Sequence, residues 1–347
     1  MRYRDAGVDI ARAEAVKQAI VSDAVSTWTP GVRRLTGGFA GVMEWPAEPG
    51  LGSPRMLAAT MDGVGTKLHL ARAAGRLAEA SADLVYHGAN DLLVHGGRPL
   101  ALLDYVAQAR LEPDVVRAVV HGLAAACREV GAVLLGGETA EMPDTYLEGV
   151  VDVAGCMIGW VEHGALRDGS AVRPGDVLLG LESAGLHTNG FSLARRVLAD
   201  SGLTLLSPLP GGAGESVGDA LLAPHRWYGP ALLPELGSSR VRAMAHVTGG
   251  GIAGNLVRVL PAGCHAVIDR SWPRPPVFDW LCEAGAVPED DARRSLNLGI
   301  GFVVVAALGS EQALAADLQS RGARVIPLGS VGEGERGVTW EVEPVGG

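Results

Sequence analysis

Cysteine is scarce in this chain and basic clusters are absent, and each absence excludes a class of protein. The four cysteines lie far apart in the 347 residues without a C-x-x-C pair. The cysteines therefore signal neither a zinc site nor a redox pair, and we expect buried thiols in a cytoplasmic protein. Asp and Glu outnumber Lys and Arg by 39 to 29, which gives a net charge of −10 and disfavours binding to nucleic acid.

Long apolar runs are missing as well. The longest, over residues 298–308, is shorter than the roughly 18 residues that cross a bilayer, so we predict a buried strand and no membrane span. The first twenty residues contain acidic side chains where a signal peptide would be apolar, so secretion is not expected. Lysine occurs only at Lys17 and Lys67. A lysine kept among so many arginines indicates a need for a compact ammonium group.

The chain is long, apolar and rich in glycine. Its 347 residues, 48% of them apolar, suffice for about two domains, and 49 glycines indicate many tight turns or close backbone approaches. Strand-like runs alternate with helix-like stretches, which predicts an α/β fold, and irregular segment 164–175 divides it into domains 1–165 and 170–347. We predict strands at 56–61, 100–107, 132–135, 151–161, 177–181, 266–269, 301–307 and 325–328, helices at 10–25, 83–94, 114–130, 192–201, 251–260 and 311–321, and a surface loop at 207–224.

A glycine-rich turn follows the first predicted strand. It consists of Asp62, Gly63, Val64, Gly65, Thr66 and Lys67. Glycines expose backbone N–H groups, the start of a helix favours anionic oxygens and Lys67 adds positive charge, so the turn is suited to phosphate. Asp62 is a suitable Mg²⁺ ligand. The Walker A pattern is absent, so a plain tight turn is the alternative.

Further carboxylates lie near the ends of predicted elements. Asp91 follows Asn90 in an otherwise apolar run, where an unpaired buried carboxylate is costly, so Asp91 should cap a helix or meet a cation. Glu138 and Thr139 lie in the segment GGETAEMP. If such acids converge on one edge of a sheet, Mg²⁺ with nucleotide phosphates would offset their repulsion.

Two segments of the second half combine glycine with polar side chains. His187, Thr188 and Asn189 precede a predicted helix, where they either recognise a polar ligand or cap the helix. The second segment, from His246 to Gly254, includes Thr248, Gly249, Gly250 and Gly251.

The second segment also matches the pattern G-x-G-x-x-G, through Gly249, Gly251 and Gly254. Asp269 lies twenty residues after Gly249, where a dinucleotide fold places its ribose-binding acid, so an NAD-dependent oxidoreductase is an alternative. The preceding strand contains Arg242 and His246, whereas a central parallel strand is nearly all apolar, which disfavours that alternative.

Nine short segments occur in a fixed order along the chain. They are YRDAGVD (3–9), TGGFAG (36–41), DGVGTKL (62–68), ND (90–91), LDY (103–105), GGETAEMP (136–143), GLHTNGFSL (185–193), AHVTGGG (245–251) and LNLGIG (296–301). With these segments the chain resembles the phosphoribosylformylglycinamidine cyclo-ligase family, also called aminoimidazole ribonucleotide synthetase, over essentially its whole length.

The resemblance implies a reaction and an assembly. The reaction is the ATP-dependent cyclisation of formylglycinamidine ribonucleotide to aminoimidazole ribonucleotide, with release of ADP and phosphate, in purine biosynthesis. The assembly is a homodimer in which the N-terminal sheet forms a barrel with its counterpart, beside a C-terminal domain with a mixed sheet and flanking helices.

The resemblance also implies site residues. Asp62, Asp91 and Glu138 would hold Mg²⁺, while Lys67, the backbone of 63–66, Asn90 and Thr139 would bind ATP. The small-molecule substrate would face His187, Thr188, Asn189, Thr248, Gly249 and Gly250. Lys67, His187 and His246 are the implied catalytic residues, and either histidine is a candidate for the base because imidazole titrates near neutrality.

Two segments depart from the family pattern. A lysine is common near position 21, where this chain has Ala19, Ile20 and Val21. The usual Arg-Thr-Phe-Asn is replaced by Arg-Ser-Leu-Asn at 294–297, preceded by Asp291 and Ala292 in place of Glu and Met. These departures leave a paralogue that phosphorylates a different amide or phosphate as an alternative.

Overall fold

The computed structural model describes residues 25–35, 38–45 and 55–341, and these form two β-sheets with flanking helices. The predicted α/β class is confirmed. Except for its last residue, the predicted helix at 10–25 lies outside the described residues, as do the segment 3–9 and the departure at Val21.

The first sheet has five strands and is mixed. Its spatial order is β1-β2-β5-β3-β4, in which β3 and β4 are parallel and the other neighbours are antiparallel. The strands are β1 (Gly41–Glu44), β2 (Arg55–Gly63), β3 (Gly97–Gln108), β4 (Val133–Glu141) and β5 (Val151–Glu162), and the helices of this part are α1 (Lys67–Ala73), α2 (Leu77–Val94) and α3 (Pro113–Val130).

Helix α3, which was predicted at 114–130, presents one apolar stripe to the interior of the protein. Val119, Leu123 and Ala126 recur at helical spacing and are buried, because this face packs on α2 and on the sheet. The two helices approach closely at Gly122, where a Cβ atom would lie 1.9 Å from the carbonyl oxygen of Ala78.

The second sheet has six strands in the order β11-β8-β10-β6-β9-β7. Strand β11 runs parallel to β8 and the other neighbours are antiparallel, so the predicted mixed sheet is confirmed. The strands are β6 (Val177–Glu182), β7 (Val241–His246), β8 (Cys264–Ile268), β9 (Ile300–Ala306), β10 (Val325–Glu333) and β11 (Gly337–Trp340). The helices are α4 (Phe191–Asp200), α5 (Val217–Leu221), α6 (Gly229–Leu232), α7 (Gly251–Leu256), α8 (Pro276–Ala284), α9 (Glu289–Ser295) and α10 (Glu311–Ser320).

Helix α2 lies at the junction of the two sheets and positions the site. It packs on β2, β3 and β5 of the first sheet and also contacts edge strand β7 of the second. A helix covered on both sides is buried nearly all round. Its polar residues His87, Asn90 and Asp91 are therefore buried as well.

The segment 207–224 is not the surface loop that we predicted. It contains α5, whose Val217 and Leu221 are fully buried. The local signal for this helix is a capping box, in which Ser216 and Asp219 each bond the other's backbone N–H. No helix within the described ranges is both long and apolar enough to cross a membrane.

Candidate active site

The junction of the two sheets contains four buried histidines, His87, His187, His225 and His246, which we call the histidine cluster. The rings of His87 and His246 are 4.9 Å apart, those of His225 and His246 are 5.0 Å apart, and those of His187 and His225 stack at 4.0 Å. The sequence prediction included only His187 and His246. The structure adds His87 from α2 and His225 from the segment before α6.

His87 lies between two carboxylates. Its Nε2 is 2.9 Å from Asp62 Oδ2 and 3.6 Å from Asp91 Oδ2, and its Nδ1 is 2.8 Å from Thr188 Oγ1. Burial opposes a charge on the ring, but Asp91 and Asp62 outweigh burial and raise the pKa of His87 to about 9. His87 is thus an imidazolium at neutral pH, and its charge holds two of the predicted Mg²⁺ ligands close to each other.

A hydrogen-bonded chain runs from Asp91 through His246 to His225. Asp91 Oδ1 lies 2.8 Å from His246 Nδ1, and a carboxylate can only accept, so this nitrogen carries the proton. His246 Nε2 then accepts from His225 Nε2, 3.0 Å away. Burial lowers the pKa of His246 and lowers that of His225 well below its ordinary value, so both rings are neutral.

His187 occupies a strained backbone position beside this chain. Its φ of 60° is in the left-handed region, and its Nε2 accepts from the backbone N–H of Ala184 at 3.2 Å. Burial again lowers the pKa of His187 well below its ordinary value. The Nδ1 atoms of His187 and His225 are buried and make no hydrogen bond with any residue that the structure describes. Buried nitrogens without partners are uncommon in proteins, and a catalytic role or a bound water or ion are among the reasons for them.

Lys67 does not lie where the phosphate prediction placed it. The side chain is fully buried, and its ammonium forms an ion pair with the fully buried Asp83. It also donates to the carbonyl oxygens of His187 at 3.2 Å and of Ala223 at 3.1 Å. These three acceptors use the three N–H bonds of the ammonium. The structure therefore corrects the predicted phosphate contact of Lys67: the side chain joins α1 to the two loops that bear His187 and His225.

The side chain of Asn90 is likewise bonded to protein atoms, whereas the sequence predicted that it contacts ATP. Its amide donates to Arg226 O at 2.8 Å and accepts from Tyr228 N at 3.1 Å. Asp83 Oδ1 likewise accepts from the backbone N–H of His225 at 2.8 Å. Lys67, Asp83 and Asn90, which we call the buried latch, thus connect the first part of the chain to the histidine-bearing loops of the second.

The two predicted substrate segments lie side by side. A Cβ atom added to Gly249 would be 3.0 Å from Asn189 Oδ1, so the two segments approach closely at this glycine. Thr188 contacts His87, as described, and Thr248 Oγ1 donates to Asn255 Oδ1 at 3.2 Å within the turn that enters α7 after Gly250. The structure brings these residues together at one edge of the histidine cluster, and their contact with substrate stays a prediction.

The glycine-rich turn enters α1 beside the cluster. Gly65 has a φ of 68°, which favours glycine, while Gly63 N donates to Asp62 Oδ1 at 2.7 Å and Val64 N donates to Val153 O at 2.9 Å. Two of its backbone N–H groups are thus already used. Thr66 Oγ1 lies 3.3 Å from Ser192 Oγ of α4. The Asp62 side chain is 43% exposed and can meet an ion from solvent.

Glu138 and Thr139 lie away from the two aspartates. Glu138 pairs with Tyr105, Tyr105 pairs with Ala154, and Ala154 pairs with Gly63. Glu138 is therefore three interstrand spacings, about 14 Å, from the residue next to Asp62. This separation corrects the prediction that Asp62, Asp91 and Glu138 of one chain share a single ion. The sequence could not reveal it, because strand order is not encoded locally.

The sheet topology contradicts the dinucleotide alternative. Among the strands that the structure describes, β7, which precedes Gly249, lies at the edge of its sheet and pairs with antiparallel β9. Strand β8, which precedes Asp269, is four interstrand spacings away, about 19 Å. A dinucleotide site needs adjacent parallel strands joined by the helix. Gly251 instead packs against α9, where a Cβ atom would lie 2.0 Å from Arg293 O.

Comparisons with known proteins agree with this arrangement. The family models described as AIR synthase related protein, N-terminal and C-terminal domains, match residues 39–161 and 173–341. A phosphoribosylformylglycinamidine cyclo-ligase of Nitrosococcus oceani is 45% identical over 341 residues, covering 96% of this chain and 94% of that protein. One of Myxococcus xanthus is 43% identical over 343 residues, covering 99% of each.

Among solved structures, AaThiL complexed with AMPPCP and TMP superposes with a TM-score of 0.61 at 14% identity, covering 99% of this chain and 97% of that one. This likeness concerns the fold alone. The relatives of high identity cover nearly the whole chain and share one name. The chain therefore belongs to the phosphoribosylformylglycinamidine cyclo-ligase family, a family of ligases that form a carbon–nitrogen bond, and the resemblance seen in the nine sequence segments is confirmed.

Proposed function

We propose that this chain catalyses the ATP-dependent cyclisation of formylglycinamidine ribonucleotide to aminoimidazole ribonucleotide, with release of ADP and phosphate. The observation that supports this most is the histidine cluster with Asp91, assembled from four distant segments where α2 meets the second sheet. Family membership supplies the reaction class, and the cluster supplies neutral imidazoles for proton transfer.

The cyclisation needs a base for the amidine proton. Asp91 accepts from His246 Nδ1 and thereby fixes which nitrogen of His246 is basic. His187 offers Nδ1, a buried atom without a partner, and its backbone contact at Nε2 makes Nδ1 the protonated nitrogen. We therefore assign His246 as the base of the pair, and His187 as a donor to a carbonyl or phosphoryl oxygen of the substrate.

ATP and Mg²⁺ fit this site in part. Asp62 and Asp91 are oxygen ligands of the kind that Mg²⁺ takes, and they lie on either side of His87. We assign these two to the ion. Glu138 and Thr139 lie on edge strand β4 and would contact either a part of the nucleotide farther from the ion or a neighbouring subunit. When bound, ATP with Mg²⁺ supplies the phosphoryl group that turns the formyl oxygen into a leaving group. Nucleotide binding by AaThiL, whose fold is similar, supports this assignment.

We also propose that the chain functions as a cytoplasmic homodimer, with domains at 1–165 and 170–347. Helices cover one face of the first sheet, while apolar side chains are exposed on its strands. Met61 is 69% exposed, Leu103 40% and Leu135 64%. An exposed apolar patch of this kind is typical of an interface, and a second copy of the sheet would cover it as a barrel.

A turnover assay tests the proposed reaction. Purified protein is mixed with ATP, Mg²⁺ and formylglycinamidine ribonucleotide, and both ADP and the diazotisable aminoimidazole are followed. We expect the two products in equal amounts, and Asp91→Asn should lower turnover at least a hundredfold while the exposed-site control Asp114→Asn does not. If folded protein formed no aminoimidazole in this assay, the proposal would be contradicted. If ADP formed only when another amide or phosphate was supplied, the paralogue would be favoured.

A further inference from the structure

Three nitrogen donors of the histidine cluster lie close enough to surround one ion. His187, His225 and His246 each offer a ring nitrogen, and these three atoms lie within 4.8 Å of one another. All three side chains are buried. No local pattern of the sequence indicated this group, because its members are up to 59 residues apart on different elements.

The spacing of the Nε2 atoms of His225 and His246 is close to that of two ligands on a tetrahedral ion. Their Nε2 atoms are 3.0 Å apart, and their rings are 5.0 Å apart at an interplanar angle of 61°. Two nitrogens bound to zinc at about 2.0–2.1 Å and at tetrahedral angles are separated by about 3.3 Å. A shift of a few tenths of an ångström therefore suffices to admit an ion between them.

The surroundings of His246 match those of a metal-bound histidine. Its other nitrogen, Nδ1, donates to Asp91 Oδ1, and a carboxylate at this position orients the ring and makes Nε2 a better ligand. The Nδ1 of His225 makes no hydrogen bond, so the proton now on Nε2 can move to Nδ1 when the ion binds.

We propose that His225 and His246, with His187 as third ligand, bind a divalent transition ion of the zinc class at the junction of the two sheets. Imidazole nitrogens select zinc, cobalt, nickel or copper, whereas Mg²⁺ requires oxygens, so this site differs from the carboxylates assigned to Mg²⁺. The ring of His187 is now nearly parallel to that of His225, at 21°. The ring rotates and Nε2, the unprotonated nitrogen, exchanges its bond from the Ala184 N–H for the ion.

The bound ion blocks the site that we assign to the substrate. It occupies His246 Nε2, the nitrogen assigned as the base, so a transition ion inhibits turnover that Mg²⁺ supports. The binding itself does not depend on the proposed reaction, and the test below measures it without substrate.

The experiment uses full-length protein stripped of metal with a chelator. Cobalt(II) is added as the probe, its visible absorption is followed, and zinc binding is measured by equilibrium dialysis with elemental analysis. We expect one ion per chain, an intense absorption band typical of tetrahedral cobalt, and nitrogen scatterers at about 2.0 Å in X-ray absorption of the zinc form.

Three variants separate the site from adventitious binding. His225→Gln and His246→Gln should each weaken zinc binding at least tenfold, whereas His121→Gln, an exposed histidine of α3, should leave it unchanged. Circular dichroism checks that each variant is folded. X-ray absorption of the protein without substitutions tests the site even if a variant fails to fold. Less than one ion per chain, oxygen-only coordination, or equal affinity in folded His225→Gln would overturn the proposal.

Discussion

The buried latch makes a quantitative prediction about Lys67. We expect Lys67→Met and Asp83→Asn each to destabilise the protein strongly, and the double variant to cost little more than either single one. Both side chains of the pair are completely buried, so removal of one charge leaves the other in a medium that solvates it poorly. The expected cost of each single substitution is about 3–5 kcal/mol in the free energy of unfolding.

The double variant removes both charges, so neither is left unpaired. Asparagine at position 83 retains an acceptor for the N–H of His225. The remaining cost is that the carbonyl oxygens of His187 and Ala223 lose the hydrogen bonds that Lys67 donates to them. We expect a coupling energy of about 2–4 kcal/mol in the double-mutant cycle. A cycle on the exposed pair Arg196 and Asp200 is the control, and it should show no measurable coupling.

The pH dependence provides an independent check. Burial raises the pKa of Asp83 even beside Lys67, and without the ammonium this carboxyl is protonated more readily. The cost of Lys67→Met should therefore shrink as the pH is lowered from 8 to 5, because a neutral carboxyl needs no counterion.

The assay is urea unfolding at several pH values, together with the KM for ATP. A positioning role lowers stability and kcat and leaves the KM for ATP within about twofold, since the hydrogen bonds of the Lys67 ammonium all go to oxygens of the protein. If Lys67→Met kept its stability, showed no coupling to Asp83 and raised the KM for ATP at least tenfold, the phosphate role would be correct and the latch wrong.

Three further predictions concern other parts of the molecule. In metal-free buffer the stability should be greatest near pH 6.5: below it His187, His225 and His246, whose pKa values are lowered, must take up protons on unfolding. Above pH 6.5 the protein loses the stabilisation that protonated His87 provides, because the pKa of His87 is raised in the folded state. By pH 9 this loss amounts to about 3 kcal/mol in the free energy of unfolding, and His87→Gln should abolish this pH dependence in urea titrations. Leu135→Asp should yield monomers in analytical ultracentrifugation, whereas Leu206→Asp, 90% exposed elsewhere, should not; a dimer in both would remove the first sheet as the interface. Gly122→Ala should cost about 1–3 kcal/mol in thermal unfolding because its Cβ meets Ala78 O, while Gly254→Ala, with open space, should be neutral or stabilising; equal effects would contradict the close helix contact.

Local patterns predicted much of the fold. The strand at 151–161 was correct to within a residue because alternating or continuous apolar runs reflect burial directly. Helix α3 followed from its apolar stripe for the same reason. The short strands β1 and β11 were missed, because four residues contain too little periodicity. Strand β7 was expected before Gly249, and its polar residues, which disfavoured a central parallel strand, fit the edge position that it has.

The site was predictable in part. The turn before α1 and the loops with His187 and His246 stood out because glycine next to polar side chains is unusual within apolar sequence. His87 had a weak signal, since it lies four residues before Asp91 on one helix face. His225 had none.

The sequence alone determined the α/β class, most strand positions and the family, since these depend on local burial patterns and on short segments in a fixed order. The packing of α2 between two sheets decided the rest. It brought Asp91 to His246, 155 residues away, turned Lys67 toward Asp83, and left Glu138 on a distant edge strand. Such contacts depend on the order of strands and on the burial of charge, and these are properties of the whole fold.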